Sequence, residues 1–412
     1  VSILGNRVLR REDPKLLTSG GTYVADLDIP GAAHVFFVRS TIAHGRVAAV
    51  DAEAARSQPG VLAVFSASDL DATAPEPVGL LNPLMRRPLL ADKVVRFVGE
   101  PVLALVAESE EQAADAAELV VIEYDPLPPV VDMEDALRGE TILFEEAGTN
   151  VIFEIQPDED PALFAGMEVV ADLRTVNQRL APCPLEMRSA AAELVGERLR
   201  FHSSTQHPHG VKSALAESLG LEEKDVHVIA HDVGGGFGAK GSPSPEDFVV
   251  AWCARSLGRP VRWTERRSDS MIGLGHGRGQ LQEVTIGGDR DGRMRAIRMR
   301  ILQDSGAYGD FGAVLPYMTR MMASGVYGFE KVEFSSRSVV TNTVPTTAYR
   351  GAGRPEAAAA IERAVDRFAA AAGLDPAEVR RRNFVPPEDF PYETPVGTEY
   401  DCGDYRRAFE LA

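Results

Sequence analysis

The chain has 412 residues, 44% hydrophobic and 25% charged, ordinary values for a globular protein with room for roughly two or three cores. Its net charge of -18 leaves no cationic surplus for duplex nucleic acid or an anionic membrane surface. It shows no apolar run long enough to span a bilayer and no secretory leader, so the expected compartment is the cytoplasm.

Residues 1–17 have no strong period and read as an extended amino-terminal arm. Residues 18–130 read as an α+β domain. Its β-like runs are 34–40, 47–50 and 61–65, with a short helix at 52–56 and a proline-rich loop at 75–88. An apolar strand at 102–107 leads into the capping box Ser109-Glu110-Glu111-Gln112, a helix through 119 and a second strand at 120–124. Prolines at 126–129 and the acidic run 156–161 mark 131–166 as a linker. Residues 167–412 form the second domain. There a strand at 227–229 enters the run Val233-Gly234-Gly235-Gly236-Phe237-Gly238-Ala239-Lys240, and Ser244 caps a helix that Gly258 stops. Alternation over 283–301 around a turn at 287–292 predicts a hairpin with Ile297, Met299 and Ile301 on one face and Arg298 and Arg300 on the other. An alanine-rich helix at 356–372 ends at Gly373, and Asp375 caps the next. Asp404 caps a last helix, and the chain is expected to continue beyond it in the intact protein.

The glycine run carries the strongest chemical signal. Without Cβ atoms, Gly234, Gly235, Gly236 and Gly238 let main-chain N–H groups approach an anion or oxo group closely, and Phe237 is the bulk left in the loop. Gly241, not Ser or Thr, follows Lys240, and Phe237-Gly238 falls one residue early for G-x-G-x-x-G, so neither nucleotide template fits. That disfavours a nicotinamide-dependent dehydrogenase. As a bare pattern such a run is more often only a turn. Three further clusters lie in the same half: 203–209 with Gln206, 304–312, and 346–356 with Arg350 and Arg354. Together they offer main-chain donors, an amide and two guanidiniums, an inventory for holding an oxyanion or phosphate and not for attacking one. Ser203, His231 and Asp232 lack a nucleophile elbow. His202, His207 and His209 match no standard metal spacing and read as loop residues, and Cys183, Cys253 and Cys402 are too scattered for a disulfide framework or cluster, so no metal ligand is assigned.

Gly99-Glu100-Pro101-Val102, VNQRLAPCPLEMR, SSTQ, DVGGGFGAK, GAYGDFGA, AYRGAGRPEA and the run 380–384 occur in that order. With them the chain resembles, over nearly its whole length, the molybdenum-binding large subunit of the xanthine dehydrogenase, aldehyde oxidase and carbon monoxide dehydrogenase family. The resemblance implies an α/β-hammerhead domain followed by the first part of a mixed α/β molybdopterin-binding region. It implies that Gln206 donates to an oxygen ligand of molybdenum or to the pterin edge. Gly236 and Phe237 would give main-chain contacts to the apical oxo group, with the Phe237 ring walling the pocket, and Gly235 and Gly238 would bind the cofactor beside them. Arg350 would orient substrate or steady negative charge beside the metal, and Gly351 and Gly353 would let the backbone approach the pterin. Phe237 and Arg350 are the expected catalytic residues.

The implied activity is hydroxylation of an aldehyde or N-heterocycle, a small molecule attacked by a metal-bound hydroxide with a Glu as general base. The implied cofactor is molybdenum-molybdopterin in its cytosine dinucleotide form, and electrons pass to a 2Fe–2S iron–sulfur small subunit and an FAD-binding medium subunit. That Glu belongs near the carboxyl end of a subunit about twice this length, and no residue here, Glu186 included, matches it. The resemblance therefore implies the amino-terminal half of a catalytic subunit, with a carboxyl-terminal half as its complement, and a 412-residue chain that alone retains no molybdopterin. Carbon monoxide oxidisers carry Cys where Gly351 stands and purine oxidisers Glu where Gly241 stands, so carbon monoxide and xanthine are both disfavoured. The competing expectation is a non-catalytic paralogue acting as a scaffold or assembly subunit.

Overall fold

The computed structural model describes residues 4–74, 79–156 and 159–412. Residues 1–3 of the arm, 75–78 of the proline-rich loop and 157–158 of the acidic stretch lie outside the described residues. Strand β5 (Pro101–Ala107) is apolar throughout and every residue of it is buried, as befits a strand covered on both faces. It pairs antiparallel with β1 (Ala33–Arg39) on one edge and β3 (Val61–Phe65) on the other. Helix α3 (Glu110–Ala117) opens where Gln112 N donates to the Ser109 hydroxyl at 3.2 Å, and its small face of Ala113, Ala116 and Ala117 packs onto β1 and β5. β2 (Gly45–Asp51), β4 (Val94–Val95) and β6 (Val121–Pro126) form a separate antiparallel sheet, and α2 (Glu53–Arg56) links β2 to β3. The strand, helix, strand unit read from the sequence is present.

The main sheet does not end with this first third. β9 (Ser189–Val195), β10 (Arg198–Ser203), β11 (Val226–Ile229) and β12 (Val261–Thr264) extend it to seven strands in the order β11-β10-β9-β12-β1-β5-β3. The join is parallel, Ala33 opposite Val261. Its core is equally mixed, with Val35, Phe37 and Val106 in one cluster with Phe201, Trp252 and Trp263. Helix α6 (Pro245–Leu257) is covered almost all round, from Pro245 to Ala254, as expected of a helix apolar on every side. It starts and stops where expected, at Ser244, which forms a reciprocal capping box with Asp247, and at Gly258 in the left-handed conformation. α5 (Pro208–Ser218) packs beside it.

A second sheet has the order β7-β15-β14-β13-β8, from β7 (Val151–Ile155), β8 (Val169–Asn177), β13 (Gln280–Gly288), β14 (Met294–Asp304) and β15 (Lys331–Val339). β13 and β14 are the predicted hairpin, with Ile297, Met299 and Ile301 buried. Helix α9 (Arg354–Ala372) lays Ala357, Ala360, Ile361, Ala364, Val365 and Phe368 against β8 and β13. α10 (Pro376–Asn383) and α11 (Tyr405–Leu411) carry their expected Asp375 and Asp404 caps.

Two readings need correction. The 131–166 stretch is not only a linker: Asp132 caps α4 (Met133–Arg138), and β7 is an edge strand hydrogen-bonded to β15. Its partner lies nearly two hundred positions away, so nothing local announced it, and the prolines and acidic residues that follow masked its short apolar run. The arm is not wholly extended either. Asp13–Thr18 forms helix α1, and Lys15 Nζ and Thr22 N both donate to Asp232, at 3.3 and 2.8 Å. No helix among the described residues is long and apolar enough to cross a membrane.

Candidate cofactor site

Four loops meet at one end of these two sheets. β10 runs into 203–207, β11 into the glycine loop 233–241, β14 into 305–312, and the 346–353 loop runs into α9. Gly238 N donates to Gln206 Oε1 at 2.8 Å, and Gln206 N donates to Lys240 O at 2.9 Å. Arg350 N donates to Phe237 O at 2.9 Å, and Gly312 N to Thr346 O at 3.2 Å. Gly238 sits at φ +97°, where a Cβ would stand 2.5 Å from Ala348 O, so only glycine permits this loop-on-loop contact. Gln206, Phe237 and Arg350 are thus brought together.

The same bonds show what is left over. Among the described residues, the N–H groups of Gly235, Gly236, Phe237 and Gly351 have no partner. The bond from Gly238 N fixes which end of the Gln206 amide faces the loop, because an N–H needs the oxygen. Nε2 of Gln206 therefore turns away from the loop with both protons to donate. Arg350 is held at N by Phe237 O and at O by Arg278, while its guanidinium is exposed and has no partner among the described residues. Phe237 is 39% exposed and has φ +53°, a conformation that costs an aromatic residue roughly 1–3 kcal/mol.

That strain is shared. The non-glycine residues with positive φ among those described are Cys183, Phe237, Arg278 and Ala352. Phe237 and Ala352 lie in the loops themselves, and Cys183 precedes Pro184, which packs beside Gly235. Arg278 donates to Tyr349 O and Arg350 O, both at 2.8 Å, and pairs with Glu356. Backbone strain concentrated in this way marks functional geometry.

Buried charge supports the loops from behind. Lys240 Nζ pairs with Glu186 at 2.9 Å, and the same carboxylate oxygen accepts from Gly234 N at 2.8 Å. Burial lowers the Lys240 pKa, with Glu186 acting the other way. Lys240 is therefore a brace under the loop and not a ligand group, and Glu186 is committed to it. Deeper, Glu246 of α6 lies between Arg39 and Arg188, at 2.9 and 3.2 Å, and Arg188 also binds Glu265. Burial pushes the Glu246 carboxyl up, but the guanidiniums of Arg188, Arg39 and Arg87 outweigh it and hold the group well below the usual carboxylate range. A cavity of about 270 Å³ lies against the same loops, lined among others by Arg87, Ala239, Ser244, Asp310 and Thr347.

Other assigned residues fare differently. Gly353 is buried with φ +81°, and a Cβ there would come within 2.5 Å of Met318 Cβ and 2.7 Å of Thr319 N. Its glycine is required by packing onto α8 (Leu315–Arg320) rather than by an open face. Gly351 is exposed at φ +94°. Asp232 is engaged by the arm, and His231 stacks on His202 with the ring nitrogens 3.0 Å apart, so no Ser203-His231-Asp232 relay forms. Among the described residues no cluster of three or more His, Cys, Asp or Glu could hold a metal ion. Arg278 was not among the sequence candidates, and Glu356 stood at the end of the 346–356 cluster without a role. The only hint was a charged residue between glycines, Gly277-Arg278-Gly279.

A site made of main-chain donors, an amide and a guanidinium, without a protein metal ligand, suits a cofactor that brings its own metal and its own anionic groups. Residues 143–384 match the molybdopterin cofactor-binding domain, and residues 18–128 the aldehyde oxidase and xanthine dehydrogenase a/b hammerhead domain. The chain belongs to the xanthine dehydrogenase, aldehyde oxidase and carbon monoxide dehydrogenase family of molybdenum hydroxylase large subunits. It is 36% identical to the gamma subunit of the 6-hydroxypseudooxynicotine dehydrogenase complex of Paenarthrobacter nicotinovorans, over 99% of this chain and 54% of that one. It is 34% identical to the nicotine 6-hydroxylase large subunit of the same organism, over 98% and 51%. Quinoline 2-oxidoreductase from Pseudomonas putida 86 superposes with a TM-score of 0.93 at 36% identity, over 100% of this chain and 54% of that one. The chain spans about half the length of the curated relatives it matches. Hammerhead and molybdopterin-binding domains follow one another in it as expected, although they share one sheet.

Proposed function

We propose that this chain supplies one wall of the molybdenum site in a hydroxylase that oxidatively hydroxylates an N-heteroaromatic small molecule, with an aldehyde as the second substrate class. The observation that carries the reading is the set of unpaired donors, Gly235, Gly236 and Phe237 N–H, Gln206 Nε2 and the Arg350 guanidinium, on loops bonded to one another. A pyrophosphate or an oxo group needs such preorganised donors. Bound there, molybdenum-molybdopterin supplies a two-electron oxidising centre. Gln206 donates to an oxygen of the cofactor, the glycine-loop N–H groups hold its anionic or oxo groups, and the Phe237 ring walls the pocket. Arg350 orients substrate or offsets the negative charge that develops on it. The general-base Glu comes from a carboxyl-terminal half like that of the relatives, the pterin carries a cytosine dinucleotide, and electrons leave through 2Fe–2S and FAD subunits.

The substrate class rests on two supports. Relatives named for nicotine and quinoline are 34% and 36% identical, and Gly351 and Gly241 stand where carbon monoxide and purine oxidisers carry Cys and Glu. The test is turnover by the complete large subunit, produced with its partner subunits, on quinoline, nicotine, benzaldehyde, xanthine and carbon monoxide with an artificial electron acceptor. Oxidation of quinoline or nicotine, with oxygen from labelled water in the product, is expected. Turnover of xanthine or carbon monoxide alone contradicts the reading.

A further inference from the structure

Arg350 is held by its backbone rather than by its side chain, and a single guanidinium bonds both its carbonyl and that of its neighbour, which also accepts from Ala352 N at 2.8 Å. Arg278 donates from Nη1 to Tyr349 O and from Nη2 to Arg350 O, each at 2.8 Å, and stands 4.7 Å from the centre of the Tyr349 ring. Its Nη1 also lies 3.2 Å from Glu356 on the first turn of α9, in a pair whose side chains are 8% and 0% exposed. Glu356 Oε2 is buried without a partner, and Gln303 Nε2 donates to Arg278 O at 2.9 Å. The whole is expensive: a buried ion pair, an unsatisfied carboxylate oxygen, and an arginine at φ +66°. Simple loop closure does not need it, since one backbone bond would do. A planar fork that grips two consecutive carbonyls fixes the two peptide planes that flank the Arg350 Cα, and so the direction in which the Arg350 side chain leaves the loop.

We infer that Arg278, oriented by Glu356, is a positioning residue that aims the Arg350 guanidinium into the cofactor site. The inference rests on the role proposed above for Arg350. It touches neither substrate nor cofactor itself. Lysine at 278 keeps the charge and loses the fork, so it separates aim from charge.

The test uses the complete large subunit with its partners, in four forms: wild type, Arg278→Lys, Arg350→Met and the double variant, with Glu356→Gln as a milder second route should Arg278→Lys fold poorly. Three readouts are taken: molybdenum per chain, hydrogen exchange at the Arg350 amide, and kcat on quinoline. Arg278→Lys is expected to keep molybdenum within about twofold, to speed Arg350 amide exchange at least about tenfold, and to lower kcat about 10- to 100-fold. The double variant should be no slower than Arg350→Met alone, because a misaimed group and an absent one fail in the same way. Losses that multiply, or unchanged exchange at Arg350, overturn the positioning role. Wild-type kcat in Arg350→Met instead overturns the Arg350 assignment, a result the exchange data keep separate.

Discussion

At the residue scale, Gln206 has two separable tasks, and its two ends carry them. Oε1 accepts from Gly238 N, and Nε2 is free to donate outward. Gln206→Glu keeps the acceptor and removes the donor, so the loop should stay folded while the cofactor is held less well. Gln206→Ala removes both, with about 0.5–1.5 kcal/mol of stability lost as well. Melting temperature and molybdenum content of the complete subunit, measured on both variants, separate the two tasks. Equal cofactor loading in Gln206→Glu and wild type contradicts the donor role. His276 gives a test in pH. Burial, with Arg179 nearby, lowers its pKa to about 4, whereas an unfolded imidazole titrates near 6.5. Between those values the unfolded chain binds more protons, so this contribution is full above 6.5, falls with falling pH and is lost below about 4. Urea unfolding at pH 7 and pH 4.5 should show a larger loss in wild type than in His276→Asn. Phe237 and Arg350 stood out beside glycine and Gln206 as an amide at a strand end, and their proposed roles came from the resemblance. Arg278, Glu356 and the Lys240–Glu186 brace did not stand out, because each gains its meaning from a partner that only the fold brings near.

At the element scale the loops are set by their glycines and the helix beneath them by its charges. Gly238→Ala forces a Cβ toward Ala348 O at φ +97°, and should cost roughly 1–3 kcal/mol and part the glycine loop from the Arg350 loop. Circular dichroism melts and faster exchange at Arg350 N check it. Glu246→Gln should cost more, about 3–5 kcal/mol, because it leaves the Arg39 guanidinium buried without a counter-charge and Arg188 with Glu265 alone. Since the folded Glu246 carboxyl is held below its unfolded value, its contribution is complete above the unfolded pKa and is lost as pH falls toward the folded one. Denaturant midpoints at pH 7 and at pH 3 should therefore differ less in the variant than in wild type. Elements with local signatures were read correctly from the sequence: the Ser244 cap, the Gly258 and Gly373 stops, the Ser109 cap and the β13/β14 hairpin. β7 was missed because an edge strand is defined by the strand it joins.

At the scale of the whole molecule, the first third and the second half share a sheet through Ala33 and Val261 and a core through Phe37 and Trp263. Sequence could divide the chain by composition but could not see that parallel join, whose partners lie more than two hundred residues apart. Those two stretches should unfold in one transition, checked by coincident fluorescence and far-ultraviolet melts. The same continuity lets strands carry the unpaired donors on loops bonded to one another, with no cluster of metal-ligating side chains among the described residues. The most direct measurement of that arrangement is molybdenum per polypeptide, after gel filtration, in the complete large subunit bearing Gly236→Ala. Gly236 is not in the left-handed region, and an added methyl meets the Gln206 amide at Oε1 first, so the change displaces that side chain, with its bond from Gly238 N and its outward donor, and leaves the backbone in place. The account predicts a stability loss no larger than the roughly 0.5–1.5 kcal/mol of Gln206→Ala, with molybdenum reduced at least about tenfold, the cost of lost charge-assisted hydrogen bonds. A fully loaded Gly236→Ala subunit would contradict it.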